Sequence, residues 1–336
     1  MYFGFSRGTY WAMSVVAATG FFLSIVLHEL GHSLVARRFG VEMRGITLFI
    51  FGGVAEMPDE PPNPTAEVCI AVAGPLVSVC IGVACLAGGV VLSHAENVKA
   101  VGGVLHYLGG INLALVLFNL LPAFPLDGGR VLRASLWAVR SDLQSATRTS
   151  ATVGSAFGIG LMVLGVFSFF GGGAISGMWY VMLGLFLRNA ARLSYRQLVL
   201  RNALAGETIE RFVRGDAISV NPGVPVSQFV DDYVLRHQHP MFPVIDDGNL
   251  VGCVEIRDVK ELPRTEWPRH VVSEVAEPCD DTNAIDSRAD AAAAWLRMAK
   301  NNRSSLIVTR SGELFGVVSL SDLLRHVALR SQIQSI

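Results

Sequence analysis

The sequence predicts a polytopic α-helical membrane unit followed by a smaller α/β unit, and three observations carry that expectation. The first is uneven charge. Positions 1–205 hold 13 Lys/Arg and 9 Asp/Glu, a net of +4, whereas positions 206–336 hold 14 and 19, a net of −5. That is 22 charges over 205 residues against 33 over 131, in a chain that is 51% hydrophobic with a mean hydropathy of +0.45. The second is a set of uncharged runs long enough to cross a bilayer, which takes about 20 helical residues. The third is a repeat at an offset of 64 residues, confined to the C-terminal part. The overall charge of −1 argues against a nucleic-acid partner.

About five spans are expected. The first covers 10–38, is uncharged over 11–27, and stops at Arg37 and Arg38 before Gly40. It carries the polar motif discussed below, so removal as a signal peptide makes no sense. Residues 45–57 are apolar, rich in β formers and broken by Gly52-Gly53, too short to span as a helix. A re-entrant β-hairpin is expected there, with an interfacial loop as the alternative; irregular backbone at membrane depth needs protein or water to satisfy it. Pro58, Pro61, Pro62 and Pro64 then predict a stiff linker. The second span is 68–92, with Ala73-Gly74-Pro75 allowing close helix packing. The third, 101–121, runs into Asn119-Leu120-Leu121-Pro122-Ala123-Phe124-Pro125-Leu126-Asp127-Gly128-Gly129-Arg130. Residues 149–187 are uncharged, too long for one span, and Gly171-Gly172-Gly173 divides them into a helical hairpin.

Orientation follows from Lys/Arg bias. One side receives Arg37, Arg38, Arg44, Arg130, Arg133, Arg140, Arg148, Arg188, Arg192, Arg196 and Arg201; the other has Arg7 and Lys99. The arginine-rich side is therefore expected to be cytoplasmic, in a multi-pass inner-membrane protein with its C-terminal unit in the cytoplasm. The five cysteines form no C-x-x-C pair and read as ordinary small core residues.

Domains are expected at 1–205 and 206–336. In the second, Gly248, Gly252 and Asp258 recur as Gly312, Gly316 and Asp322. Each copy, 208–263 and 271–331, reads as helix (226–236 or 289–301), strand, tight turn, strand, then a helix opening near the Asp. Two such units pair because neither buries its sheet alone.

The chemistry lies in His28-Glu29-Leu30-Gly31-His32. On a helix, His28 and His32 are i and i+4, so both imidazoles leave one face and can hold one metal ion, with Glu29 beside them to take a proton. A catalytic zinc takes three protein ligands and keeps a fourth position for water. Asp127 is the best third candidate: an acid at the end of an apolar span, on the matching side, costly there without a partner. Asp142, Glu56 and His106 are the alternatives. Zinc then supplies an activated water for attack on a peptide carbonyl, with Glu29 shuttling the proton. Asn119 is placed either to donate a hydrogen bond to substrate backbone or to bond a neighbouring helix. The hairpin at Gly52-Gly53 is expected to take an unwound substrate strand by β-addition.

Together, the His28–His32 motif, Phe51-Gly52-Gly53, Ala73-Gly74-Pro75 and the Asn119–Gly129 run resemble the site-2 protease family of intramembrane metalloproteases, and the repeat resembles a tandem pair of CBS domains. The resemblance implies zinc on His28, His32 and Asp127, Glu29 as acid/base, and a membrane-anchored protein substrate such as an anti-sigma factor or pro-protein. It implies an adenine nucleotide (ATP, ADP or AMP) at the CBS pair, with Asp258 and Asp322 on ribose hydroxyls and Ser319 near phosphate or ribose. Arg257 replaces the usual small polar residue, so at most one good site is expected; a ligand-free dimerising scaffold, with a homodimer through the CBS pair, is the alternative. Relatives with this arrangement resemble a six-helix design, and a span ahead of residue 10 is expected to be missing. A CBS-regulated transporter or an idle nucleotide-sensing scaffold are the other function classes. The first needs a polar path that these spans lack, and the intact Glu29 speaks against the second.

Overall fold

The computed structural model describes residues 6–41, 46–49, 52–55, 60–93, 98–213 and 217–334. The chain divides into two compact units, Met1–Gln197 and Leu198–Ile336.

The first unit is helical. α1 (Arg7–Arg38) opens on a Ser6 cap, whose hydroxyl accepts from the Thr9 amide, and closes on Arg37 and Arg38, where cations suit the helix dipole. β1 (Ile46–Phe49) and β2 (Gly52–Ala55) pair antiparallel, with Phe49 opposite Gly52 and Leu48 opposite Gly53. β2 runs beside α1. The expected linker falls partly outside the described residues, as does Pro58 itself, and ends with Pro64 as the first residue of α2 (Pro64–Ser93). Its missing N–H is no loss in the first turn of a helix. α3 (Lys99–Asn119) follows. α4 (Asp127–Arg140) is a short amphipathic helix for which the sequence predicts no element, only three arginines that count towards orientation. α5 (Leu143–Phe170) begins six residues ahead of the uncharged run, on an Asp142 cap. α6 (Ala174–Leu204) completes the set, and the break between them falls at Gly171–Gly173.

Among the described residues four helices are long and apolar enough to cross a membrane: Arg7–Arg38, Pro64–Leu92, Lys99–Asn119 and Leu143–Phe170. α6, the fifth expected span, is not in that set, because Arg188 interrupts its apolar half. Large apolar side chains line the outer faces, with Leu117 and Phe167 each 73% exposed, as a lipid-facing surface requires. Small residues close the inner faces. A Cβ on Gly82 would meet Leu113, and one on Gly109 would meet Leu86, so α2 and α3 approach closely.

The second unit bears the repeat out in detail. Its first copy holds a helical stretch made of α7 (Val226–Gln228), a π-helical turn (Phe229–Val234) and α8 (Leu235–His237), then β3 (Met241–Asp246), β4 (Asn249–Glu255) and α9 (Ile256–Val259); α10 (Val272–Val275), at the head of the second copy in sequence, packs Val272 into this first core. The second copy holds β5 (Ala284–Asp286), α11 (Ala291–Lys300), β6 (Ser305–Arg310), β7 (Glu313–Ser319) and α12 (Leu320–Gln334). β3–β4 shift register between Val244 and Ile245; β6–β7 do so between Val308 and Thr309, 64 positions on. Positive φ recurs at the same offset: Gln238 and Asn302 end the helices, and Asp247-Gly248 and Ser311-Gly312 make the hairpin turns. β5 pairs parallel with β6, whereas its counterpart shrinks to a single bridge between Val220 and Val244. Each copy buries its own core, around Phe229 and Phe242 in one and Leu306 and Met298 in the other. Met241, Cys253 and Ile307 form a third cluster joining the two.

Candidate metal centre

α1 presents His28 and His32 one turn apart, and both are 3% exposed. Their rings lie with centroids 4.8 Å apart and their Nε2 atoms 3.2 Å apart. Asp127, the first residue of α4, brings Oδ2 to 3.2 Å from His28 Nε2 and Oδ1 to 3.3 Å from His32 Nε2. Glu29 is buried on the same turn, within electrostatic reach of His32, His28 and Asp127.

α2 fixes both rings from behind. His32 Nδ1 donates to the Ile70 carbonyl at 2.7 Å, and His28 Nδ1 lies 2.9 Å from the Ser78 hydroxyl. A carbonyl only accepts, so His32 carries a proton on Nδ1, and in the neutral ring Nε2 keeps its lone pair for a metal. Between these two contacts sits Gly74. A Cβ there would lie 2.2 Å from His32 Nε2 and 2.7 Å from His28 Nε2, so only glycine leaves the imidazoles room. One helical turn of α1 is matched from the other side: a Cβ on Gly31 would meet Val77 and the Ala73 carbonyl.

The turn before Asp127 is equally close-fitted. A Cβ on Gly128 would lie 2.2 Å from the Leu120 carbonyl oxygen, and one on Gly129 2.2 Å from the Phe124 amide nitrogen. α5 lies against it at Gly154, where a Cβ would be 2.0 Å from the Phe124 oxygen.

These donors suit zinc. Imidazole nitrogen and carboxylate oxygen are zinc ligands at about 2.0–2.2 Å, and the edge of a tetrahedron with such bonds is about 3.3–3.6 Å. The two Nε2 atoms, 3.2 Å apart, are close to that edge; Asp127 turns a different oxygen to each ring, and with one ligand atom per residue the three lie within 4.8 Å of one another. Converging lone pairs repel unless a cation or proton lies among them.

The other sequence candidates fall elsewhere. Asp142 is spent capping α5, and His106 bonds the Gly102 carbonyl and packs on Gly89. Glu56 lies outside the described residues. Asn119 is the half-buried last residue of α3. Gly52 and Gly53 open β2. Sequence reasoning missed Ser78, Ile70 and Gly74 as ring partners. Only Gly74 had a signal, and it was read as general helix packing.

In the second unit, Asp258 and Asp322 occupy equivalent capping positions. Asp258 Oδ2 accepts from the Glu255 amide at 2.7 Å, and Asp322 Oδ2 accepts from the Ser319 amide at 3.2 Å and from the Ser319 hydroxyl. In the first copy Arg257 pairs with both neighbours, 3.1 Å from Glu255 and 3.5 Å from Asp258. Burial pushes both carboxyls up, Glu255 against a hydrogen bond from Arg303 and Asp258 against one from the Glu255 amide.

The sequence profile of peptidase family M50 matches residues 16–103 and 93–164, and that of the CBS domain matches 209–264 and 272–329. "Putative zinc metalloprotease Rip3" of Mycobacterium tuberculosis is 32% identical over 326 residues, covering 96% of this chain and 83% of that protein. A zinc metalloprotease of Methanocaldococcus jannaschii is 30% identical over 325 residues, covering 96% and 87%. The solved site-2 protease from Methanocaldococcus jannaschii is 33% identical over 56% of this chain and 88% of that chain, with a TM-score of 0.44. By its full-length likeness to these metalloproteases, the chain belongs to peptidase family M50, the zinc metalloproteases of site-2 protease type, in a form that carries tandem CBS domains.

Proposed function

We propose that this metalloprotease hydrolyses a peptide bond in or near the transmembrane segment of a membrane-anchored protein, using His28, His32 and Asp127 to hold zinc and Glu29 as acid/base. The observation that carries the reading is the meeting of two Nε2 atoms and one carboxylate at 3.2–3.3 Å, with the far nitrogen of each ring held by α2. When bound, zinc lowers the pKa of a water towards neutrality and polarises the scissile carbonyl. Glu29 accepts the water's proton and delivers it to the leaving amine. Ile70 and Ser78 keep the imidazoles in the metal-binding orientation. The burial of all four side chains restricts bulk water at the site. A helical substrate must unwind to expose its peptide bond. β2, which begins at Gly52 and Gly53 and among the described residues pairs with β1 alone, offers a strand edge for addition, and Asn119 a side-chain amide.

The membrane unit and the CBS pair act as separate domains in this reading. The pair lies in the cytoplasm, on the arginine-rich side with the metal centre, and α6 serves as the fifth span. The CBS pair binds adenine nucleotide at the Ser319–Asp322 copy, since Arg257 obstructs the other, and regulates cleavage. The anti-sigma factor and pro-protein classes fit as substrates.

The test is Glu29→Gln in purified and co-expressed protein. About one zinc per chain should be retained while cleavage of a membrane-anchored substrate falls by roughly 100-fold or more. A chelator should abolish wild-type cleavage and added zinc restore it. Unchanged cleavage by Glu29→Gln would rule the mechanism out. Nucleotide titration of Asp322→Ala tests the CBS assignment: wild-type affinity would refute it.

A further inference from the structure

A buried ion pair joins α2 to α4 away from the metal centre. Arg133, 5% exposed, directs Nε and Nη2 to the same oxygen of Glu67, each at 2.5 Å, and Nη2 also to Glu60 at 3.0 Å. Glu67 is fully buried, and its second oxygen has no hydrogen-bond partner among the described residues. An arrangement of this kind is costly to build, and replacing it with apolar side chains is often neutral or stabilising. Stability alone is therefore a weak reason for it to be there.

Its place on α2 supplies a stronger one. Glu67, Ile70, Gly74 and Ser78 are spaced by three, four and four residues, so they share one helical face. Along that face Ile70 orients His32, Gly74 admits both rings and Ser78 holds His28. The remaining position, Glu67, grips Arg133 on the helix that Asp127 begins. Arg133 also reaches back to the turn leading into Asp127, with its guanidinium carbon 5.3 Å from the centroid of the buried Phe124 ring. Asp127 and Arg133 are two anchor points on one rigid helix, about 9 Å apart along its axis at 1.5 Å per residue.

We infer that Glu67 and Arg133 are positioning residues: the ion pair docks α4 on α2 so that Asp127 meets the imidazoles that the same face of α2 orients. The inference rests on the reading of Asp127 as a metal ligand. The guanidinium fork sets direction as well as charge, because two donors converge on one carboxylate oxygen.

The test uses full-length protein in detergent. Arg133→Lys keeps the buried charge but loses the fork. The double variant Glu67→Leu/Arg133→Met removes both charges, so neither is left stranded. Zinc affinity is read by competition with a chelator, ligand geometry by the visible spectrum of the cobalt-substituted protein, and cleavage at low and saturating zinc. For Arg133→Lys, zinc affinity should fall by roughly 10–100-fold, as when outer partners of metal ligands are lost. The cobalt spectrum should change, and saturating zinc should recover most of the cleavage. A folded double variant should behave the same way. Wild-type affinity, spectrum and cleavage in both would overturn the inference. So would loss of fold in Arg133→Lys, which would make the pair a folding element. Glu29→Gln run alongside separates the two claims: if it still cleaves, or wild-type protein takes up no zinc, the metal reading itself fails.

Discussion

His32 Nδ1 donates to the backbone carbonyl of Ile70 at 2.7 Å, across two helices that sequence separates by 38 residues. This bond fixes a proton on Nδ1, so in the neutral ring Nε2 is the nitrogen left to bind a metal. It also makes the main chain of α2 part of the candidate metal centre, where a side-chain substitution at Ile70 leaves the carbonyl in place.

Gly74→Ala should empty the centre. The added Cβ would sit 2.2 Å from His32 Nε2, and the neighbouring backbone is helical and cannot yield cheaply. Zinc affinity should fall by roughly 100-fold, at the upper end of losses from disturbed ligand support. Metal analysis of folded protein after dialysis checks it, and full zinc content would contradict the close approach described here.

Ser78→Ala should be milder. It removes the hydroxyl at 2.9 Å from His28 Nδ1 but leaves the ring packed. Zinc affinity should drop by roughly tenfold, and the stranded buried ring nitrogen should cost about 1–3 kcal/mol of stability. A pH profile of zinc binding shifted relative to wild type would show that the ring's protonation has changed.

Gly154→Ala acts at a distance from the ligands. Its Cβ would lie 2.0 Å from the Phe124 oxygen, in the turn that precedes Asp127. Overpacking of this kind costs about 1–3 kcal/mol. The expected outcome is a lower unfolding temperature together with weaker zinc binding, because the displaced turn carries Asp127 with it. Altered stability with unchanged zinc affinity would separate the turn from the site.

Arg303→Ala tests the second unit. Arg303 reaches from the second copy to Glu255 of the first at 2.7 Å and also pairs with Glu277. The Arg303 and Glu255 side chains are 6% and 8% exposed, so the variant removes the buried one of two cations on Glu255 and leaves it only the more exposed Arg257 at 3.1 Å. The loss should be about 1–3 kcal/mol, below that of a fully stranded buried charge, and the half-exposed Glu277 should add little. Hydrogen exchange of the β4 and β6 amides in full-length protein measures it. Unchanged protection would mean that apolar packing at Met241, Cys253 and Ile307 alone joins the copies.

What sequence made legible was local. The i, i+4 spacing of His28 and His32 dictates a shared face, and Gly171–Gly173 cannot continue a helix cheaply. Gly248 and Gly312 supply the positive φ their hairpins need, so the repeat could be read with its turns in place. α4 was not legible, because its two glycines follow Asp127 directly and weaken the helix signal.

By itself, then, the sequence determined a pair of histidines on one face of an apolar helix, an acid at the end of a later span, and a duplicated α/β unit, since each is written in the period or identity of neighbouring residues. Only the tertiary structure decided how Asp127 meets His28 across 99 positions, that the Ile70 carbonyl and the bare α-carbon of Gly74 frame the rings, and that Glu67 finds Arg133. The physical reason is that a carbonyl looks the same at every residue and an absent side chain has no signature of its own. Their roles exist only once packing has set one helix against another.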